Sequence, residues 1–347
     1  MKNQLTRRDF LKIGALGLTS LAFRPAYDFA ELEDSDSLAR VAIKSVSVHS
    51  QPDDQSTIKF QRYRDEIVNI YYEVISDKSP KYNPLWYRVW GGYIHCANVQ
   101  RVHVKLNNNP SRLSEGQQAI EVTVPYTQSY LHRQEGVWEE LYRLYYGTIH
   151  WAVGIVEGPD GEPWFRIKDH LLFFDSLDYY IPAKHARLIP IEETIPISSE
   201  IDPDVKWIEV SLSNQELTAF ELDKVVLKTK ISSGLDYQPV GEIAWNTPTG
   251  DFHIQSKMPS THMGGGQLIN DPEAYILPGV AWVSFFEPEN GVAFHGTHWH
   301  QNFGMPMSHG CINMKTEEAL WLYRWSTPVC DMTKMETIGY GTRVHIY

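Results

Sequence analysis

From about Leu38 the chain runs in short stretches of alternating apolar and polar residues, separated by polar turns. Val41, Ile43, Val46 and Val48 alternate along Arg40–Val48, Gln51-Pro52-Asp53-Asp54 makes a turn, and Ile67–Ile75 is dense in β-branched and aromatic residues. A period of two marks half-buried strands, and Gly, Pro, Asn and Asp clusters mark their ends. Trp86-Tyr87-Arg88-Val89, a Gly91-Gly92 turn and Tyr93-Ile94 continue the pattern. Further along, Trp207 to Phe220 predicts a hairpin: Ile208, Val210 and Leu212 alternate, Ser213-Asn214-Gln215 turns, and Leu217 and Ala219 return. Val225–Ile231 predicts a strand stopped by Ser232-Ser233-Gly234. Thr247-Pro248-Thr249-Gly250 is a turn before Phe252-His253-Ile254, and Val280–Phe286 and Val292–Phe294 read as core strands. Helical spacing is legible at one place, where Thr316-Glu317-Glu318 reads as an N-cap with an acidic first turn. Ala319, Leu320, Leu322 and Tyr323 follow, and Pro328 marks the end. Trp321 and Trp325 read as packing residues of that helix.

Part of the pattern occurs twice. Trp86-Tyr87-Arg88-Val89 is matched by Trp164-Phe165-Arg166-Ile167, and Tyr93-Ile94 with Val99, Gln100 and Val102 is matched in the same spacing by Tyr180-Ile181 with Ala186, Arg187 and Ile189. The second copy has nine more residues between its Trp and its Tyr-Ile. Such internal similarity implies duplicated units. Both copies resemble bacterial SH3-like domains, whose closing strands carry a Trp-x-x-Val … Tyr-Ile signature. That resemblance implies either wall binding or placement of a neighbouring domain, and packing modules without a ligand are an equal alternative. The units are expected at residues 38–110 and 111–195. The stretch Leu188–Pro203, rich in Pro, Ile and Ser, reads as a linker to a last domain at 204–347.

The N-terminus, residues 1–37, reads differently. Thr6-Arg7-Arg8-Asp9-Phe10-Leu11-Lys12 precedes an apolar run from Ile13 to Phe23, interrupted by Gly14, Gly17 and Ser20. The run is short of the ~20 residues that span a bilayer. The string resembles the twin-arginine export signal, which implies delivery to the periplasm, cell wall or cell surface, with membrane contact only through the signal or an uncleaved anchor. Ala26 and Ala30 are the candidate cleavage points, and residues 31–37 read as a solvated linker.

Composition narrows the partners. The net charge is −12, with no basic run after residue 12, which opposes nucleic-acid binding and a polybasic membrane-surface mode. Eleven Trp and 19 Tyr support a mainly β chain. Three cysteines, Cys96, Cys311 and Cys330, are too few and odd in number for a disulfide framework. Cys96 and Cys330 read as small buried hydrophobes, since a bridge between them would tie separate domains.

Cys311 has different neighbours. It sits in Met307-Ser308-His309-Gly310-Cys311-Ile312-Asn313-Met314, downstream of Phe294-His295-Gly296-Thr297. A thiol nucleophile needs a base within reach, an electropositive setting, a third group to orient the base, and N–H donors for the oxyanion. His295 at a strand end is the candidate base, and Gly310 lets backbone N–H groups approach the reacting carbonyl. The two strings resemble the signature of the L,D-transpeptidase family: His-Gly, a loop, then Ser-His-Gly-Cys with an apolar residue and Asn or Arg. The resemblance covers about residues 205–347. It implies Cys311 as nucleophile, His295 as general base, the Gly296 carbonyl as its orienter, His309 as a supporting hydrogen-bonding residue, and N–H groups of Gly310 and Cys311 as oxyanion donors. Ser308, Asn313, His298, Trp299 and His300 are the substrate-binding candidates. The implied fold is two SH3-like barrels followed by a β-rich catalytic domain with one or two helices. The implied reaction needs no cofactor or metal. It joins peptidoglycan stem peptides, donor and acceptor, through a Cys thioester on a monomeric enzyme. Three other readings remain: an L,D-carboxypeptidase using the same Cys with water as acceptor, a zinc-dependent wall peptidase using ligands among His295, His298, His300, His309 and Cys311, and a non-catalytic wall-binding protein.

Overall fold

The computed structural model describes residues 27–33, 35–109, 112–113, 116–133, 136–170, 176–238, 245–265 and 275–347. The predicted export signal lies outside them. The chain is mainly β, with one α-helix among the described residues.

The first module holds two sheets. One runs Ile58–Tyr63, Ser45–His49, Gly92–His95, Leu85–Val89 and Tyr72–Ile75, and the other Ile67–Asn69, Leu38–Val41 and Val99–Val102. The two long predicted strands are therefore each broken, and their halves enter different sheets. Residues 42–44 turn the chain between Leu38–Val41 and Ser45–His49, which takes Ile43 out of the alternation. The second module is one seven-stranded sheet, in the order Trp138–Tyr145, Tyr126–His132, Ser176–Pro182, Pro163–His170, Ile149–Glu157, Gln118–Val122 and Ala186–Leu188.

The sequence repeat is also a repeat of register. Tyr87 pairs with Ile94 and Arg88 with Tyr93; in the second module Phe165 pairs with Ile181 and Arg166 with Tyr180. Each hairpin leads through a short 3-10 turn, Cys96–Asn98 or Ala183–His185, into the closing strand. The extra residues of the second copy lengthen its hairpin beyond the shared register.

The residues just ahead of the expected 31–37 linker pack on the second module. Phe29, in the 3-10 turn Phe29–Leu32, packs in the core of the second module, and its ring meets Tyr126 edge-on at 5.5 Å.

The last domain stacks two five-stranded sheets. One orders Lys224–Lys230, Glu216–Glu221, Lys206–Ser211, Arg343–Ile346 and Gly250–His253; the other orders Ile312–Met314, Val292–Gly296, Tyr275–Glu287, Ser256–Gly265 and Thr337–Ile338. The predicted hairpin forms, with Trp207 opposite Phe220 and Val210 opposite Leu217. The helix Thr316–Trp325 buries Ala319, Leu322, Tyr323 and Trp325 against the same core. Its N-cap is Lys315, with no side-chain capping bond, so Thr316 is the first helical residue rather than the cap. The other end of the helix is held by two lysine amino groups. Lys257 Nζ donates to the carbonyls of Tyr323 and Ser326, and Lys206 Nζ donates to that of Trp325 at 3.2 Å, which satisfies orphan carbonyls at the negative end of the helix dipole.

Ala119, Ile149, Trp151 and Ile189 of the second module pack in one continuous core with Ile208, Trp282, Phe294 and Ile312 of the last domain. The first module is tied in by packing, with Leu38, Val102 and Val104 in the second module's core, and by charge. Asp65 accepts from its own module's Arg40 at 3.1 Å and from Arg143 of the second module. Arg40 is buried and lies 4.0 Å over the Tyr145 ring. Removing one member of a buried ion pair strands the others without water, at a cost of about 3–5 kcal/mol. Asp65→Ala should therefore lower stability in chemical denaturation by about 3 kcal/mol. Arg40→Met, which removes the buried charge itself, should cost less.

Candidate active site

Two short parallel strands carry the site. Val292–Gly296 pairs with Ile312–Met314 so that Phe294 lies beside Ile312, His295 beside Asn313 and Gly296 beside Met314. Val292, Phe294, Ile312 and Met314 alternate into the main core. Their neighbours Ala293, His295, Cys311 and Asn313 must then point to the opposite face. On that face Cys311 and Trp299 each pack against the cluster of Val280, Val283, Phe285 and Ala293. The Trp299 ring also lies 5.7 Å from the His295 ring.

The hydrogen bonds of His295 set its tautomer. Its Nδ1 is 3.0 Å from the Gly296 carbonyl, which can only accept. Nδ1 therefore carries the proton, and Nε2 keeps its lone pair for a base role. The ring is 2% exposed, and burial lowers its pKa to about 4, against a smaller upward effect of the Gly296 bond.

Cys311 is a free, partly buried thiol whose Sγ is 3.4 Å from the Gly291 carbonyl. Burial pushes it up to about 11, opposed by a hydrogen bond from the Ala293 backbone. The expected electropositive setting is replaced by an apolar one, because Trp299 and the aliphatic strand residues occupy the surroundings. The resting pair at neutral pH is accordingly a thiol and a neutral imidazole.

The Ser308–Gly310 segment is braced from below. Gly310 has φ +123°, a backbone that favours glycine. Its N–H donates to Ser308 Oγ at 3.2 Å, and its carbonyl accepts from Thr247 Oγ1 at 2.7 Å. Thr247 Oγ1 in turn accepts from Gly234 N at 2.8 Å. The His309 ring is exposed and meets the Trp245 ring edge-on at 3.9 Å, and Tyr237 extends that aromatic wall at 4.7 Å from Trp245.

Residues 205–346 match the YkuD family, the L,D-transpeptidase catalytic domain. This stretch of the chain is an L,D-transpeptidase domain. No curated protein matches the chain. Among solved structures, an L,D-transpeptidase from Enterococcus faecium is 25% identical over 41% of this chain and 49% of its own, with a TM-score of 0.31. The catalytic domain of an E. faecium L,D-transpeptidase gives 26% identity over 41% of this chain and 96% of its own, with a TM-score of 0.30. One from Xylanimonas cellulosilytica gives 27% over 41% and 60%, with a TM-score of 0.29. The chain thus spans about half the length of the first of these structures, and the assignment rests on the family match.

Within the L,D-transpeptidase domain the candidates separate. His295 is bonded to the Gly296 carbonyl, Cys311 directly precedes the strand paired with theirs, and the Trp299 ring lies beside His295. The other substrate-binding candidates have partners within the protein. Ser308 bridges Gly310 N to the Cys311 carbonyl. Asn313, 1% exposed, has its side-chain amide 2.9 Å from His300 Nε2. His298 is buried and stacks on Tyr145 of the second module at 5.5 Å. His298 and His300 lie in a bend rather than on a strand, and their rings go to different partners. Gly310 N–H is turned onto Ser308, so Cys311 N–H is the oxyanion candidate not committed there. Sequence reading missed Thr247, Trp245 and Tyr237 as site residues. The Thr-Pro-Thr-Gly turn and the end of the strand before Ser232 were the local signs of that brace.

The thiol setting predicts that alkylation of Cys311 by iodoacetamide, followed by peptide mapping, rises about tenfold per pH unit through the neutral range and does not level off before about pH 10. A resting ion pair would plateau near neutrality. The histidines predict the acid limit. His150, His295 and His300 are held below their ordinary pKa, chiefly by burial, at about 4, 4 and 3. The unfolded chain therefore binds more protons between about pH 6.5 and 4. Stability should be full above that window and fall steeply as pH drops through it, read from denaturant midpoints.

Proposed function

We propose that the protein is an exported L,D-transpeptidase that cross-links peptidoglycan stem peptides through a thioester on Cys311. The observation that carries this reading is the pairing of His295, with Nε2 as its open nitrogen, beside the strand that begins after Cys311. As Sγ attacks the carbonyl carbon of the donor stem, its proton passes to His295 Nε2. The carbonyl oxygen takes negative charge facing the Cys311 N–H. Collapse breaks the bond to the terminal D-alanine, whose nitrogen takes the proton from the imidazolium, and the acyl group stays on sulfur. A side-chain amine of a second stem then attacks the thioester, gives up its proton to His295, and releases Cys311. The neutral resting pair supports a proton transfer coupled to attack rather than a preformed thiolate. The twin-arginine pattern at Thr6–Lys12 supports export. The duplicated modules support an SH3-like assignment through their shared hairpin register.

Incubation with disaccharide-tetrapeptides and mass analysis tests the acceptor. A dimer that has lost one D-alanine is the expected product, whereas a tripeptide alone would mean water is the acceptor and the enzyme is a carboxypeptidase. A carbapenem should add covalently to the wild type and not to Cys311→Ala in intact-mass spectra, and His295→Gln should slow the addition at least 100-fold, in line with the ~10²–10⁴ typical of a general base. An adduct of equal yield on Cys311→Ala would remove the sulfur from the mechanism.

A further inference from the structure

The loop between base and nucleophile, residues 297–311, contains no helix and no strand beyond an isolated bridge at Ser308. Its shape must come from specific contacts. Many of these come from the first module, far away in sequence. Gln301 N donates to the Ala97 carbonyl at 2.7 Å. Asn83 Nδ2 donates to the Gln301 carbonyl and to Asn302 Oδ1, both at 3.0 Å. Tyr82 packs so closely on Gly304 that a Cβ there would lie 2.8 Å from the Tyr82 Cβ.

Asn302 opens onto a closed ring of hydrogen bonds. Its N–H donates to His300 Nδ1 at 3.2 Å. With Nδ1 accepting, the neutral ring carries its proton on Nε2, which lies 2.9 Å from Asn313 Nδ2; turning that amide over, whose Oδ1 has no other partner, gives the Nε2 proton its acceptor. Asn313 exchanges both backbone bonds with Ser232, at 2.8 and 3.0 Å. Ser232 Oγ closes the ring on the Asn302 carbonyl at 3.1 Å. His300 is 3% exposed and Ser232 0%, so each bond stands in a low dielectric where an unmade one is costly. Asn83 itself is 7% exposed; its Oδ1 accepts from the Cys96 thiol at 2.9 Å and its carbonyl is 2.9 Å from His95 Nε2. Asn83 thus joins the first module's hairpin to a ring whose other side is the residue paired with His295.

We infer that Asn83 is a positioning residue for the active site: through Asn302 and His300 it holds Asn313, and with it the strand that follows Cys311, in register with His295. Asn83 touches no reacting atom. The inference rests on the reading of Cys311 as nucleophile.

The full chain, its Asn83→Ala and Asn302→Ala variants and the double variant are compared with a carbapenem as probe. Acylation of Cys311 in Asn83→Ala should be at least tenfold slower at saturation, with the non-covalent affinity for the probe changed less than twofold. The double variant should be no slower than the slower single, because both break one path. Iodoacetamide alkylation of Cys311, read by peptide mapping, should move the other way and quicken, because a loosened strand exposes the thiol. Wild-type acylation and alkylation rates in a folded Asn83→Ala would overturn the inference. Should that variant fail to fold, Asn302→Ala, which leaves the first module's own bonds intact, decides the matter by the same two rates. If the wild type itself takes no acyl group, the transpeptidase reading fails, and the alkylation comparison still decides whether Asn83 controls the site.

Discussion

Two strands of five and three residues, lying parallel, govern the chemistry of this molecule. Their apolar positions are claimed by the main core, and that claim directs every second residue to the other face. A shift of one residue in either strand would bury the imidazole among Phe294 and Ile312 or turn the sulfur into the core. The register is protected on both sides. Ser232 pairs with Asn313 along one edge, and Tyr275–Glu287 pairs with Val292–Gly296 along the other. The helix that follows, pinned at its carbonyl end by Lys206 and Lys257, closes the apolar side. The stability of the domain and the aim of its reacting groups therefore come from the same contacts.

In the transpeptidase reading proposed above, the apolar face that receives the thiol shapes the mechanism. Neither member of the pair gains a charged neighbour to hold it ionised, so charge appears only when a substrate carbonyl can take it up. On that reading the idle protein is poorly nucleophilic towards small electrophiles, and specificity is exercised at the moment of attack. Trp299 lies beside the His295 ring and packs on the same apolar cluster as Cys311.

What the sequence disclosed divides by distance along the chain. The His-Gly and Ser-His-Gly-Cys strings are local, and their meaning survives without knowledge of the fold. The hairpin from Trp207 to Phe220 and the duplicated Trp-Tyr-Ile pattern are local too, because alternation and turn residues are sufficient to specify them. Arg40–Val48 misled because its alternation continues through a corner that only the two-sheet arrangement explains. Thr316 is a good capping residue by type, yet the chain enters the helix one residue earlier, at Lys315. Asn313 and His300 were polar residues near the nucleophile and so looked like substrate contacts. Only three dimensions show them bonded to each other, with Asn302, Ser232 and Asn83 contributed from separate stretches.

The stack of Arg40 on Tyr145 and Tyr145 on His298 joins one residue from each of the three units in a single line. Together with the shared core, it means that these units are not independent beads on a string. Exchange of either N-terminal unit by recombination would leave a cation or an imidazole facing the wrong surface. Change in this lineage should therefore proceed by matched substitutions across the seams, with all three units drifting as one heritable block.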